Sequence, residues 1–348
     1  MRGRRGVLAA GAAGLTAVLA GVAVERRDRR AIAADPARAA LAVPLAGRPI
    51  AVVSDDGTVL HAEVHGRDDG ITVVLVHGWM CTSAVWRLQI LALADHVRVV
   101  AYDQRGHGRS GPAVEADYSG DALAADLDAV LTQAVPDGEP AIVAGHSMGA
   151  MAVVAWAHAQ GDEVGDRLAA VALVSVGVED LIHRSTIIPF PTALAAVRAV
   201  IGERVLATPL PLPARTNPVL SRLVKGITLG PAASPAQVAF CTDMLLETPT
   251  HVRAAFGATL STFDLGDGLP ALTVPAVVIA GDHDRLTPPV HARAIAAALP
   301  DATLVELPGV GHMIPIEAHA QVTEVIRRLV AAPRHERRPA QERDGPGP

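Results

Sequence analysis

"AIVAGHSMGAM", residues 141–151, is the stretch on which the fold turns. Ala141–His146 is a short apolar run of the kind that forms a strand buried on both faces, and from Met148 the chain becomes Ala-rich with a helical pattern. Between the two stands Gly145-His146-Ser147-Met148-Gly149. A serine in that setting projects from a sharp strand-to-helix turn, where flanking glycines let the chain bend and let the helix approach the strand. The helix N-terminus then presents free N–H groups and a positive dipole end to a developing oxyanion. A structural serine at a junction of two packed elements would look the same locally, so the remainder of the chain has to choose.

Around this turn the sequence alternates between two patterns. Residues 71–78, 97–106, 169–177, 275–284 and 302–312 repeat the apolar, β-branched character, while helical patterns occupy about 83–94, 120–134, 148–160, 289–299 and 316–331. Residues 50–66 read as two antiparallel strands around Asp55-Asp56-Gly57. Such alternation predicts an α/β fold with a mostly parallel, doubly wound sheet covered by helices on both sides. Residues 178–262 break the rhythm with helical segments interrupted by Pro, as in "IIPFP" and "TPLPLPARTNP". They predict a helical lid inserted after the sixth strand.

In open parallel sheets the reactive groups gather at the carboxyl ends of the strands. Partners for Ser147 should therefore stand at other strand ends, and three positions qualify. Asp284, in "GDHDRLTP", follows one strand and would orient a histidine and stabilise its cation. Asp282, Glu179 and Asp180 compete for that role. His312, in "GVGHMIPIE", follows the last strand on a loop freed by two glycines, and an imidazole suits a general base near neutral pH. His77-Gly78-Trp79 ends an earlier strand, where the Trp79 N–H would join the Met148 N–H as an oxyanion donor.

The order Ser147, Asp284, His312 is the chain order of the α/β-hydrolases. With "VHGW", "YDQRGHGRSG", "GHSMGAM", "GDHDRLTP" and "GVGHMIPIE", residues 48–331 resemble the α/β-hydrolase fold family in its esterase, lipase and cofactor-independent haloperoxidase branch. The resemblance implies Ser147 as nucleophile, Asp284 as acid, His312 as base, and the backbones of Trp79 and Met148 as oxyanion hole. Gly145, His146 and Gly149 form the elbow, and the turn Asp103–Ser110 shapes the floor of the site. A serine at the elbow excludes the branches that use aspartate there. The expected activity is hydrolysis of carboxylic esters, those of apolar acyl groups among them, through an acyl-enzyme. Acyl transfer, perhydrolysis and a non-catalytic ligand-binding role use the same scaffold and stay open.

Composition narrows the alternatives. Half of the 348 residues are apolar and 3% aromatic, so the core is built from Ala, Val and Leu rather than left disordered. Seven arginines against Glu25 and Asp28 give residues 1–30 a charge of +5, leaving −11 for the rest, which argues against nucleic acid as a partner. Gly106–Gly111 matches G-x-G-x-x-G but lacks the context of a nucleotide site. Cys81 and Cys241 make no metal pattern and read as buried thiols, and His61 and His65 read as surface residues. No metal and no cofactor is expected; the partner is a small-molecule ester. Residues 6–24 are uncharged between basic flanks. They predict a membrane anchor or an export signal, with a soluble extension as the third reading, and hence a place outside the cytoplasm. The division expected is 1–30 as leader, 31–48 as linker, 49–177 and 263–332 as hydrolase core, 178–262 as lid and 333–348 as a disordered tail.

Overall fold

A computed structural model of the 348-residue chain describes residues 21–187 and 195–332. Its centre is an eight-stranded sheet, β1 (Arg48–Val53), β2 (Val59–Gly66), β3 (Thr72–Val76), β4 (Arg98–Tyr102), β5 (Ala141–His146), β6 (Leu168–Val174), β7 (Ala276–Gly281) and β8 (Ala302–Leu307). The spatial order is β1-β2-β4-β3-β5-β6-β7-β8. β2 runs antiparallel to both its neighbours, and the pairings from β4 to β8 are parallel.

Beyond β3 the longer helices, in chain order, are α1 (Arg87–Leu93), α2 (Gly120–Gln133), α3 (Met148–Gln160), α4 (Ala195–Ala207), α5 (Pro218–Thr228), α6 (Pro235–Glu247), α7 (Thr250–Thr262), α8 (Pro289–Ala298) and α9 (His319–Ala331), with shorter turns between them. Period-two alternation divides the core. Val74, Val76, Val143, Val171, Leu173 and Val278 face a cluster under α2, α3 and α8. Val73, Leu75, Ile142, Ala172, Val174 and Ile279 face a second cluster under α1 and α9. Both faces are covered, so β3 and β5 are buried along their whole length. Each Val or Leu so removed from water contributes about 1.5–3 kcal/mol.

α4 to α7 all lie between β6 and β7. Their starts are local in origin. Asn217 caps α5 through Val219 N and Leu220 N, and Ser234 with Gln237 forms a capping box on α6; both helices have Pro in the first turn. In the stretch expected as a linker, Ala37–Leu41 is helical and the Asp35 carboxylate accepts from Ala236 N at 2.7 Å, fastening this segment to α6.

Two expectations need correction. His65 is not a surface residue: it is 4% exposed, and its Nε2 lies 3.4 Å from Glu63. The expected membrane span or export signal, with the extracytoplasmic location drawn from it, is also not sustained. Among the described residues no helix is long and apolar enough to cross a membrane. Gly21–Val24, the described end of the apolar run, sits in a helix over residues 21–33 that continues through Glu25–Arg30 and docks on α5 through Asp28–Arg222 at 3.0 Å. So dense a run of charge cannot enter hydrocarbon cheaply. Residues 6–20 of that stretch, and the expected tail 333–348, lie outside the described residues.

Candidate functional site

The strand order reverses between β3 and β5, and the crevice at that switch point, on the carboxyl edge, is where open α/β sheets hold ligands. Ser147 stands there, between β5 and α3, at φ 53° and ψ −119°. A side-chain-bearing residue in so sparsely populated a region costs about 1–3 kcal/mol, which the surroundings must impose. The two elbow glycines make that possible. A Cβ on Gly145 would lie 2.6 Å from the backbone N and Cα of Ala150, and one on Gly149 would strike the carbonyl oxygens of Val76 and His77. Ser147 N donates to Val174 O at 2.8 Å, which ties the turn to the end of β6. Met148 heads α3, in the first turn, where backbone N–H groups have no acceptor inside the helix.

The other expected oxyanion donor is on the loop after β3. Gly78 packs on the elbow so closely that a Cβ there would be 3.0 Å from Ser147 Cβ, and Trp79 follows at the rim of the same cavity as Ser147. Met80, next in line, holds φ 56°. Its N–H donates to His107 Nε2 at 3.3 Å, while His107 Nδ1 lies 3.1 Å from Arg105 O. Burial, then the neighbouring His77, pushes His107 down to about 3, so the ring stays neutral and able to accept. Arg105 is itself fully buried and donates twice to Asp126, at 2.8 and 2.7 Å, and once to Asp56 at 3.0 Å. The turn Asp103–Ser110 therefore braces the Trp79–Met80 loop from beneath.

Asp284 and His312, from the ends of β7 and β8, meet: His312 Nδ1 is 2.8 Å from Asp284 Oδ2. Asp284 Oδ1 accepts from Leu286 N and Thr287 N, each at 2.9 Å, and Oδ2 also accepts from Thr287 Oγ1 at 2.8 Å. Full burial works against the charge, but the attraction of His312 and the bonds from His312 and Thr287 outweigh it and hold the carboxyl below its ordinary value. An ionised carboxylate only accepts, so Nδ1 carries the proton and Nε2 is left as the ring's acceptor. Of the competing acids, Asp282 accepts from Gly309 N at 2.7 Å, and Glu179 and Asp180 pair with Arg184.

His146, expected only as part of the elbow, reaches across to His312: its Nε2 is 2.9 Å from His312 O, which Ser175 Oγ also approaches, at 2.8 Å. Burial first, and His312 second, pushes His146 down to about 3, a neutral ring donating from Nε2. Nothing in the local sequence signals this contact, because it joins residues 166 positions apart.

Ser147, His146, His312 and Trp79 line one cavity of about 420 Å³. Its walls are aliphatic: Met151 from the core, Leu206, Ile227, Met244 and Leu260 from the inserted helices, with Cys81 and Cys241, both free thiols, between them. No Asp, Glu, Lys or Arg is among the described residues that line it. A groove of about 450 Å³ between residues 21–33, α5 and α6 is lined in part by charged side chains, Glu25, Asp28 and Arg222 among them, and shares none of these groups.

A family model described as the alpha/beta hydrolase fold matches residues 71–319. The chain belongs to that family. This hydrolase is 34% identical over 263 residues to a Variovorax paradoxus protein provisionally named a carbamate hydrolase, covering 73% of this chain and 89% of that one. It is 29% identical over 279 residues to a pimeloyl-[acyl-carrier protein] methyl ester esterase of Xanthomonas oryzae, covering 78% and 99%. Among solved structures, a thermophilic esterase of Thermogutta terrifontis superposes with a TM-score of 0.64 at 26% identity, over 82% of this chain and 98% of that one. These three share the fold and carry the names of hydrolases, and the names do not agree on a substrate.

Proposed function

We propose that this hydrolase cleaves carboxylic esters of neutral, aliphatic acyl groups through an acyl-enzyme on Ser147. One observation carries the reading: Ser147 and the Asp284-paired His312 open into a single cavity whose walls are aliphatic and uncharged. His312 Nε2 takes the proton of the Ser147 hydroxyl as the oxygen attacks the ester carbonyl. Asp284 holds the ring in the tautomer that leaves Nε2 unprotonated and stabilises the imidazolium that forms. The N–H groups of Trp79 and Met148 receive the oxyanion. The alcohol leaves with the proton from His312, and a water deprotonated by the same ring releases the acid. The inserted helices serve as the lid that supplies the acyl walls.

The walls set the selectivity. Each further methylene buried adds about 0.8 kcal/mol, roughly a fourfold gain in kcat/KM per carbon until the cavity is full. An acyl chain ending in a carboxylate must give up its hydration with no cation to meet it, a loss of several kcal/mol. The test is labelling with a fluorophosphonate, followed by a chromogenic ester panel. Wild type should label and Ser147→Ala should not, and turnover should rise from acetyl towards medium-length chains and collapse for monoesters of dicarboxylic acids. An unlabelled wild type refutes the serine mechanism; equal turnover of charged and neutral chains refutes the acyl assignment.

A further inference from the structure

Glu317 has no part in the chemistry above, yet three backbone N–H groups from two segments converge on it. It closes the short helix Ile314–Glu317 just after His312. Its Oε2 accepts from Gly230 N at 2.6 Å and from Gly311 N at 3.2 Å, and its Oε1 accepts from Met313 N at 3.1 Å. One carboxylate thus grips the chain on both sides of His312 and, with the same oxygen, the segment that follows α5.

That segment and the histidine loop touch backbone to backbone. His312 N donates to Thr228 O at 2.8 Å, and Met313 N reaches the same oxygen at 3.3 Å. A Cβ on Gly230 would strike Gly309 and Gly311, and one on Gly311 would strike Leu229 and Gly230. At Gly230, Gly309 and Gly311 no side chain separates the two backbones, and hydrogen bonds join residues 228–230 to the histidine loop there. Burial raises the Glu317 carboxyl above its ordinary value, with the three N–H groups opposing the shift. Partly dehydrating a carboxylate is costly unless its oxygens are filled, and here they are filled by three backbone N–H groups.

We propose that Glu317 is a positioning residue for His312, joining the root of the inserted helices to the loop that carries the imidazole. The inference rests on the assignment of His312 as the base. The α5 end is in this way part of the mount of the histidine, and the seating of the inserted helices fixes where the ring stands over Ser147.

The variants are Glu317→Gln, which keeps the volume and one acceptor oxygen, and Glu317→Ala. Each is followed by thermal unfolding, by kcat and KM on a short-chain ester, and by the NMR resonances of the His312 ring. The expected result is a loss in kcat of about tenfold to a hundredfold for Ala and less for Gln, the range for a catalytic group misplaced by up to ~1 Å. KM should stay within about twofold, and the His312 resonances should shift in both variants. A folded variant with wild-type kcat and unmoved His312 resonances overturns the proposal, as does a rise in KM at constant kcat, which would assign Glu317 to the acyl walls. If Ala does not fold, the glutamine variant decides on the same criteria. If wild type hydrolyses no ester, the functional assignment has failed, and the His312 resonances alone judge the link between Glu317 and the ring.

Discussion

Gly145→Ala tests the steric logic of the elbow most directly. The added methyl would sit 2.6 Å from Ala150 N and Cα and equally close to Gly149 O, whereas ordinary contact begins at 3.4 Å. All three atoms belong to the backbone of the first turn of α3, so no side chain can rotate away. Strand and helix must part by about 0.8 Å, the difference between those distances. Overpacking of this kind costs about 1–3 kcal/mol, offset by about 0.4–1 kcal/mol because alanine restricts the unfolded chain. The net loss of stability is about 1–2 kcal/mol. The loss in rate should be larger in proportion, because the first turn of α3 carries Ser147 and the Met148 N–H together, and a displacement near ~1 Å costs about a hundredfold. Gly165→Ala is the control, since nothing lies within 4 Å of its added Cβ. Ester kinetics and thermal unfolding on the two variants decide the matter. A Gly145→Ala protein with wild-type kcat/KM and an unchanged melting temperature would refute the claim that this contact shapes the elbow.

Asp284→Asn should fold and lose about 10³- to 10⁴-fold in kcat with KM little changed, because the amide no longer enforces the productive His312 tautomer; steady-state kinetics checks it, and a loss below tenfold would contradict the role given to Asp284. Stability should fall as pH drops. His107 and His146 have folded values pushed down to about 3. The unfolded chain therefore takes up protons below about 6.5 that the folded one refuses, a loss of roughly 2 kcal/mol for each ring by pH 5. Denaturant titrations at pH 7 and pH 5 measure this, and equal midpoints would exclude it. Trp156→Ala should cost about 3–5 kcal/mol, since the ring is fully buried under the sheet and its N–H donates to Asp128 at 3.1 Å; a change in unfolding free energy below about 1 kcal/mol would be inconsistent with that packing.

Much of this architecture is written in local patterns. Continuous β-branched runs specify strands buried on both faces, as in β3 and β5, because only a sheet covered twice can bury every residue of a run. The elbow is legible for the same kind of reason: Gly145 and Gly149 are the residues that let a helix close on a strand, and Ser147 is what they leave at the bend. The membrane span expected at residues 6–24 shows where a local pattern misleads, since hydropathy counts an apolar stretch without seeing that its described end continues into a charged helix docked on α5.

What the sequence could determine by itself was therefore the alternation of elements, the bend at Ser147 and the order in which Ser147, Asp284 and His312 follow. Only the folded chain decides what meets what. Asp284 hydrogen-bonds His312 while Asp282 turns to Gly309; His146 and Ser175 hold the His312 carbonyl; Glu317 grips Gly230, Gly311 and Met313. The buried Cys81 and Cys241, 160 positions apart, come to line one cavity. The reason is physical: periodicity and turn chemistry act over a few residues, whereas hydrogen bonds between strand ends and the filling of a shared cavity depend on packing between segments far apart in the chain.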